Sequence, residues 1–191
     1  TGNNRVIEVG PAPGYGTSLV FYNPVAYSSP VDAERKGTRT LIAFSNRVGI
    51  AEQGDTTNLI QEWTTTNPVD VEWLANGNIL VANNTSVQEI QYQGLPALVN
   101  LTGLNSVRDV EWLSNGHILV TEGPMSSPGT VTEMGTTGAV IWQHKVNLMG
   151  GEYAVDAERL SDGNTLIAVY CPSTGGKVYD VTSFGTETWS K

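Results

Sequence analysis

Four pairs of acidic residues, each an aspartate followed two positions later by a glutamate, are the most conspicuous chemical groups in this sequence. Residues two apart on a β-strand point to the same face, so each pair presents two carboxylates together. If the four strands lie around a common axis, the carboxylates form a ring, and Ca²⁺ prefers a shell of oxygen ligands. The pairs are Asp32 and Glu34, Asp70 and Glu72, Asp109 and Glu111, and Asp156 and Glu158.

Two interpretations of these acidic pairs remain open. In the first, an axial calcium site is held by the four aspartates Asp32, Asp70, Asp109 and Asp156. In the second, each carboxylate accepts backbone N–H groups of a neighbouring strand or pairs with an arginine, because buried charges persist only when they are paired or hydrogen-bonded. Repetition of the pair along the chain favours the second role. We therefore expect no cofactor, with Ca²⁺ as the alternative.

The two histidines are the candidates for acid–base or nucleophilic chemistry. His117 stands where sister segments carry Asn78 and Asn164, directly after a glycine, so we predict that it belongs to a turn. His144 lies in a segment predicted to be an outer strand, far from any central cleft. Neither histidine has a recognisable nucleophile or base nearby in sequence. The sequence therefore predicts no catalytic residue and favours a protein that is not an enzyme.

Other groups of possible chemical interest are weaker candidates. Cys171 is the only cysteine, which excludes an internal disulfide, and we predict a small, partly buried residue beside a turn. One cysteine and two separated histidines do not make a zinc site. The run at 175–177, Gly-Gly-Lys, lacks the spacing of a phosphate-binding loop and is predicted to be a turn.

Aromatic and cationic residues alternate at one position of the acidic segments. Trp73 and Trp112 stand where Arg35 and Arg159 stand in the other two segments. Such a surface suits a sugar or another small ligand, and the alternative is packing between repeats.

These residues are positioned by an internal repeat. VEWLANGNILVA at 71–82 returns as VEWLSNGHILVT at 110–121, as DAERLSDGNTLIAV at 156–169, and more loosely as DAERKGTRTLIAF at 32–44. Alternating apolar and acidic residues indicate a strand, and Asn-Gly followed by an apolar run indicates a hairpin. A repeat of about 40 residues with several short strands is typical of a β-propeller, in which each repeat forms one four-stranded blade.

The strand pattern can be followed through each repeat. In the second complete repeat we predict strands at 69–73, 78–82, 87–90 and 97–99. The third strands are predicted to carry an acid at one shared position, at Glu52, Glu89, Glu133 and Asp180. Three of the fourth strands are predicted to end on a tryptophan, at Trp63, Trp142 and Trp189.

The repeat count predicts one all-β domain spanning residues 1–191, a β-propeller of four complete blades and one outer half-blade. The complete blades are predicted at 31–67, 68–106, 107–150 and 151–191. The half-blade is predicted at 1–30, with strands at 5–9 and 19–22. Unpaired strand edges attract further strands, so we expect either a piece of a larger propeller or a homo-oligomer or polymer joined through its open blade edges.

The repeat also resembles known propeller families. TGNNRVIEV at 1–9 resembles the middle of an NHL-type repeat. The words of the form D-x-E-x-L-x-[N/D]-G-x-x-L resemble the propellers of arylsulfotransferase-like and pyrroloquinoline-quinone-type proteins. The resemblance covers the whole chain and implies a propeller fold, on which unrelated activities occur. Arylsulfotransferase-like enzymes depend on a histidine that takes up the sulfuryl group.

Composition narrows the classes of partner. The net charge of −9 excludes a nucleic-acid-binding surface of the usual basic kind. No apolar run approaches the roughly 20 residues of a membrane helix, so we expect no membrane insertion. Glycosylation sequons begin at Asn83, Asn84 and Asn100, all of them expected to reach solvent, and they indicate an extracellular or cell-surface location with attached glycans.

Together these observations predict a non-catalytic extracellular or cell-surface propeller that acts as a structural scaffold or interaction module and self-assembles through its incomplete blade. Two alternatives remain open. One is a fragment of an enzymatic propeller, arylsulfotransferase-like or lyase-like, and the other is a propeller that binds a carbohydrate or another small ligand.

Overall fold

The computed structural model describes residues 6–11, 17–22, 29–53, 55, 58–92, 96–124, 129–146, 152–171 and 175–190. These residues form β-strands and turns and include no helix, which confirms the predicted all-β class. The strands are β1 (Val6–Pro11), β2 (Thr17–Tyr22), β3 (Pro30–Lys36), β4 (Arg39–Phe44), β5 (Arg47–Glu52), β6 (Leu59–Thr64), β7 (Pro68–Trp73), β8 (Ile79–Asn83), β9 (Ser86–Ile90), β10 (Asn100–Thr102), β11 (Val107–Trp112), β12 (Ile118–Glu122), β13 (Thr130–Met134), β14 (Val140–Lys145), β15 (Tyr153–Arg159), β16 (Thr165–Tyr170), β17 (Lys177–Val181) and β18 (Glu187–Ser190).

The strands form four four-stranded antiparallel sheets and one two-stranded sheet. The four-stranded sheets follow chain order, as β3–β6, β7–β10, β11–β14 and β15–β18, while β1 pairs with β2. The first strands of successive sheets contact one another, β3 with β7, β7 with β11 and β11 with β15. Each sheet is therefore one blade, and the first strands line the inner side of the array.

A glycine turn joins the first and second strands of each blade. Gly77, Gly116 and Gly163 have φ angles of 86°, 81° and 89°, a left-handed conformation that glycine adopts without steric cost. Gly77 N donates a hydrogen bond to Leu74 O at 3.0 Å and closes the turn. The Asn-Gly and Asp-Gly words of the sequence therefore fix the hairpins that hold the inner strands.

A β-bulge precedes the aspartate in every first strand. The pairing register shifts between Pro30 and Asp32, and it shifts in the same place before Asp70, Asp109 and Asp156. A bulge leaves one residue unpaired and redirects the side chains that follow it. The four acidic pairs consequently occupy equivalent positions on the inner edges of the four blades.

The apolar core lies between the faces of neighbouring blades. Leu41 and Ile50 of the first complete blade pack against Val71 and Val81 of the second. Equivalent clusters join the second blade to the third and the third to the fourth. Because each cluster is shared by two blades, no blade has a complete core of its own.

The structure corrects two strand predictions. The fourth strand of the second complete blade was expected at 97–99, but β10 begins at Asn100, because Leu98 N donates to the Glu89 carboxylate and Val99 O accepts from Glu89 N. Glu52 does not share the position of the other third-strand acids. It lies opposite Arg39, whereas Glu89 lies opposite Leu80.

Candidate functional site

The acidic pairs lie at the junctions between blades, where each one binds the backbone of the next first strand. Asp32 Oδ2 accepts a hydrogen bond from Val71 N at 3.2 Å. Glu34 Oε2 accepts one from Trp73 N, two residues further along the same strand. The two carboxylates of β3 therefore hold two alternate N–H groups on the edge of β7.

The same two hydrogen bonds recur at the next junction. Asp70 Oδ2 accepts from Val110 N at 2.9 Å, and Glu72 Oε2 accepts from Trp112 N at 2.7 Å. Asp70 Oδ1 also accepts from Val71 N of its own strand at 2.9 Å. Strand β7 is thus hydrogen-bonded on both sides, through its backbone to β3 and through its side chains to β11.

The third junction repeats the arrangement between β11 and β15. Asp109 Oδ2 accepts from Ala157 N at 3.3 Å, and Glu111 Oε2 accepts from Arg159 N at 2.8 Å. In all three junctions the donor is the residue directly after the equivalent acid of the next blade. These hydrogen bonds agree with the second interpretation of the acidic pairs, in which each carboxylate accepts backbone N–H groups of a neighbouring strand.

The fourth pair accepts no hydrogen bond from the backbone of a following first strand within the described part of the chain. Asp156 and Glu158 are both exposed, and β15 belongs to the last of the four four-stranded sheets. The calcium interpretation stays a prediction: among the described residues no group of three or more His, Cys, Asp or Glu side chains is placed to hold a metal ion.

Burial makes the acids of the middle junctions hard to ionise. Desolvation, together with repulsion from Asp109 and Asp32, raises the pKa of Asp70 to about 8. Desolvation likewise raises the pKa of Glu72 to about 7 and that of Asp109 to about 7, despite the hydrogen bonds that each accepts. Near neutral pH the carboxyl groups of Asp70, Glu72 and Asp109 are therefore partly protonated.

The third-strand acids hold the hairpins of their own blades. The Glu89 carboxylate accepts from Asn76 Nδ2 at 2.9 Å, from Asn78 Nδ2 at 2.8 Å and from Leu98 N at 2.6 Å. Burial raises the pKa of Glu89, but these hydrogen bonds lower it by more, so the pKa lies below its ordinary value. The Asn-Gly-Asn turn and the third-strand glutamate therefore form one buried polar unit.

His117 belongs to the equivalent unit of the third complete blade. Its Nδ1 lies 2.6 Å from Glu133 Oε1, and Glu133 also accepts from Asn115 and, at 2.9 Å, from Arg159 of the following blade. His117 thus replaces Asn78 as the hairpin's partner of the third-strand glutamate. This role could be predicted by aligning the repeats, because His117 and Asn78 occupy the same repeat position.

His144 lies on the outer side of the array, as the sequence predicted. Its Nε2 lies 3.6 Å from Glu187 Oε1 of the next blade, and its ring stacks on Trp142. Burial lowers the pKa of His144. Both histidines therefore have glutamate neighbours within their blades or across a junction.

The aromatic and cationic positions line clefts between blades. Lys36 Nζ lies 5.5 Å from the centre of the Trp73 ring and donates to Leu74 O at 2.9 Å. Lys36, Arg39, Trp73, Asn76 and Tyr92 are among the residues around a cleft of about 370 Å³. Trp73 Nε1 is buried and has no hydrogen-bond acceptor among the described residues.

A larger cleft lies between the third and fourth complete blades. Its volume is about 630 Å³, and its walls include Trp112, Glu133 and Arg159. The Arg159 guanidinium stands 4.9 Å from the Trp142 ring centre and binds Glu133. Trp112 and Arg159, two of the four alternating positions, therefore meet in this cleft, whereas Trp73 lines the smaller cleft beside Lys36 and Arg39.

The sequons differ in accessibility. Asn84 and Asn100 are exposed. Asn83, however, is only 9% exposed, since its side chain accepts from Thr65 Oγ1 at 2.8 Å and donates to Ser86 Oγ at 3.3 Å. The expectation that all three reach solvent is wrong for Asn83, while glycosylation itself stays a prediction.

The remaining candidates occupy ordinary structural positions. Cys171 is fully buried rather than partly buried. Gly175 N donates to Cys171 O at 2.8 Å, so a turn leads into β17 where the Gly-Gly-Lys run stands. The described residues contain no helix long and apolar enough to cross a membrane.

No family model and no curated protein matches this chain. Solved structures do match, beginning with a protein of unknown function from Bacteroides caccae, at 18% identity and a TM-score of 0.62 over 79% of this chain and 56% of that one. The extracellular domain of a putative hybrid two-component system from B. thetaiotaomicron matches at 14% identity and a TM-score of 0.61, over 87% of this chain and 22% of that one. The WD40 domain of Toxoplasma gondii coronin matches at 10% identity and a TM-score of 0.60, over 92% of this chain and 49% of that one.

These likenesses and the four blades confirm the predicted β-propeller fold. The chain spans little more than half, or less, of each of these proteins. At such low identity the likeness concerns the fold alone, and the narrower resemblance to NHL-type and arylsulfotransferase-like propellers stays a prediction.

Proposed function

We propose that this β-propeller chain is a non-catalytic interaction module of the extracellular space or cell surface, a scaffold that self-associates through its open blade faces. The chemistry described above supports a structural role. The acids of three junctions accept backbone N–H groups, and both histidines face glutamates. An enzymatic role would need such groups to face a substrate instead.

The exposed face of the last blade is the observation that carries this proposal. In β8 every residue is buried, because blades cover both faces of that strand. In β16 buried and more exposed residues alternate, and Tyr170 is 45% exposed. Val178 on the adjacent β17 is 36% exposed. An apolar sheet face whose sister faces are buried is suited to binding another protein surface.

The two-stranded sheet supports the same proposal from the other side of the array. Val6 of β1 packs against Ile42, Phe44 and Ala51, on the face of the first complete blade that points away from β7. We propose that β1 and β2 are the outer half of a blade, as the repeat count predicted. A half-blade supplies two strands where a complete blade supplies four, so a complete blade of another molecule can replace it on this face.

The extracellular part of the proposal has separate support. Two sequon asparagines, Asn84 and Asn100, are exposed and open to glycan attachment. One structurally similar protein is described as an extracellular domain, which is a property of that protein.

Sedimentation velocity over a range of concentrations tests self-association. We expect a particle heavier than the denatured chain, and the fraction of chains in that particle should increase between about 1 and 100 μM, because the exposed apolar face becomes buried on contact. A control with Tyr170→Lys and Val178→Lys places charge on that face and should shift the equilibrium toward the single chain. A single chain at every concentration would contradict the proposal.

Binding of a small acidic sugar is a second candidate function, favoured by the cleft beside Trp73. Its wall combines the Trp73 side chain with Lys36 and Arg39, and an aromatic ring and two cations suit a sugar ring and its carboxylate. Titration with glucuronate should change tryptophan fluorescence with a dissociation constant of about 1 mM. Lys36→Ala should remove the change, whereas Lys145→Ala, on an exposed outer strand, should not. Wild-type fluorescence that stays constant to about 20 mM would rule out this candidate.

A further inference from the structure

We propose that two copies of this chain dock head to tail, with β15 of each copy beside β3 of the other. Asp156 and Glu158 then accept backbone N–H groups of the partner strand, beginning with Ala33 N–H. This inference rests on the proposed self-association and names its interface. The occupant of the open face is thus a second copy of the same chain.

The three junctions inside the chain show what an acidic pair of this kind binds. In each, the aspartate and glutamate accept from two alternate N–H groups of the next first strand. Strand β15 has the same pair, the same bulge before its aspartate and the same glycine hairpin after it. Yet Asp156 and Glu158 are exposed. Strand β15 therefore has the features of an inner strand that binds the next blade, and only the following first strand is missing.

Strand β3 offers the complementary edge. Ala33 follows Asp32 and lies opposite Ile42 on β4, just as Val71 follows Asp70 and lies opposite Val81 on β8. Because the Val71 N–H points outward to the preceding blade, the Ala33 N–H points outward in the same way. Ala33 is exposed, and no acidic pair of the repeat type precedes β3 in the described chain.

Apolar burial would accompany these hydrogen bonds. At the internal junctions the acidic pairs sit beside shared apolar clusters, such as Leu41 and Ile50 against Val71. On the free face of the last blade, Val178 occupies the position of Val48, a member of the same cluster, and Tyr170 is a further exposed apolar residue. Leu166 and Asp180 stand where Leu41 and Ile50 stand in the first complete blade. Docking on a second copy covers this face as the internal junctions cover theirs, so the new contact continues an existing interface rather than creating a different one.

Head-to-tail docking also gives a closed particle. A heterologous contact repeated by a twofold rotation closes a ring, and two copies of four blades make an eight-bladed ring. Propellers commonly have about four to eight blades, so this ring lies within the known range. The incoming sheet takes the place of β1 and β2, whose Val6 contact with Ile42 and Phe44 is given up on docking.

The test compares Asp156→Ala/Glu158→Ala with Asp162→Ala in the full chain. Asp162 is an exposed acid of the hairpin turn of the same blade, so its loss changes charge without touching the proposed interface. We expect sedimentation equilibrium to give a wild-type particle of twice the chain mass. The double variant should raise the dimer dissociation constant at least tenfold, while Asp162→Ala should change it less than threefold.

A second readout follows the two-stranded sheet. Limited proteolysis should cut within β2 (Thr17–Tyr22) faster in the wild-type dimer than in the double variant, because docking displaces β1 and β2. An assembled particle that is insensitive to the double substitution would overturn this interface and leave the proposed self-association standing. A chain that never associates would contradict the proposed function itself, so the two failures are distinguishable.

Discussion

Replacing Asp70 by alanine should lower the free energy of unfolding by about 1–3 kcal/mol, whereas asparagine at the same position should leave it unchanged or raise it at pH 8. Alanine removes the acceptor of the Val110 N–H group at a blade junction, whereas the Val71 N–H group keeps Asp32 Oδ2 as an acceptor. Asparagine keeps a carbonyl oxygen there and removes a charge that burial and the neighbouring Asp109 and Asp32 disfavour. Urea denaturation at pH 8 measures both variants.

Glu62→Ala is the matched control, since Glu62 is an acid on the outer strand β6 and its side chain is 53% exposed. Its one ion pair, with Arg47, lies at the surface, and such pairs contribute little. We expect a change below about 0.5 kcal/mol. The framework role of the acidic pairs would be wrong if Asp70→Asn destabilised the protein as much as Asp70→Ala.

Stability should fall as the pH rises from 6.5 to 8, the reverse of the trend expected for carboxylates in surface ion pairs. The pKa of Asp70 is raised to about 8, and the pKa values of Glu72 and Asp109 are raised to about 7. The folded chain therefore holds protons in this window that the unfolded chain has released. Each extra proton contributes about 1.4 kcal/mol of stability per pH unit, lost as the pH rises through the folded pKa.

Thermal melts in buffers of matched ionic strength test this trend. One extra proton corresponds to a melting temperature roughly 3–6 °C lower for each unit of pH increase in a domain of this size. Asp70→Asn should flatten the dependence above pH 7, because it removes the group with the highest of these pKa values. Below pH 6.5 the lowered pKa of His144 opposes this trend, because the unfolded chain protonates that imidazole before the folded chain does. Melting temperatures that rise between pH 6.5 and 8 would refute the prediction.

The repeat made most of the architecture predictable from sequence. VEWLANGNILVA specifies an edge strand, a glycine hairpin and a buried strand, and the structure has β7, Gly77 and β8 at those places. Alternation alone shows that Asp70 and Glu72 share one face, but it does not show what their carboxylates bind. The sequence therefore left two interpretations open, a calcium site and hydrogen bonds to a neighbouring strand. The partners of these carboxylates, Val110 N and Trp112 N, follow only from the contact between successive first strands.

Other features had no signal in a single repeat. The bulge before each aspartate depends on pairing with the second strand. The residue it skips is a valine in three blades and Arg108 in the third complete blade, and neither residue type by itself indicates a bulge. The late start of β10 depends on Glu89, whose carboxylate binds Leu98 N and competes with the strand ladder. The burial of Asn83 arises from Thr65, a residue of the preceding blade. These features depend on contacts between residues far apart in sequence, which the local pattern of a single repeat does not show.

Amide hydrogen exchange tests, residue by residue, whether the first three acidic pairs hold the backbone of the next blade. In the wild-type chain the Val110 and Trp112 amides should be protected although they lie on the edge of their sheet. In Asp70→Ala the protection of Val110 should fall at least tenfold, while that of Ala157, held by Asp109, should change less than threefold. Equal exchange of Val110 in the two proteins would contradict the claim.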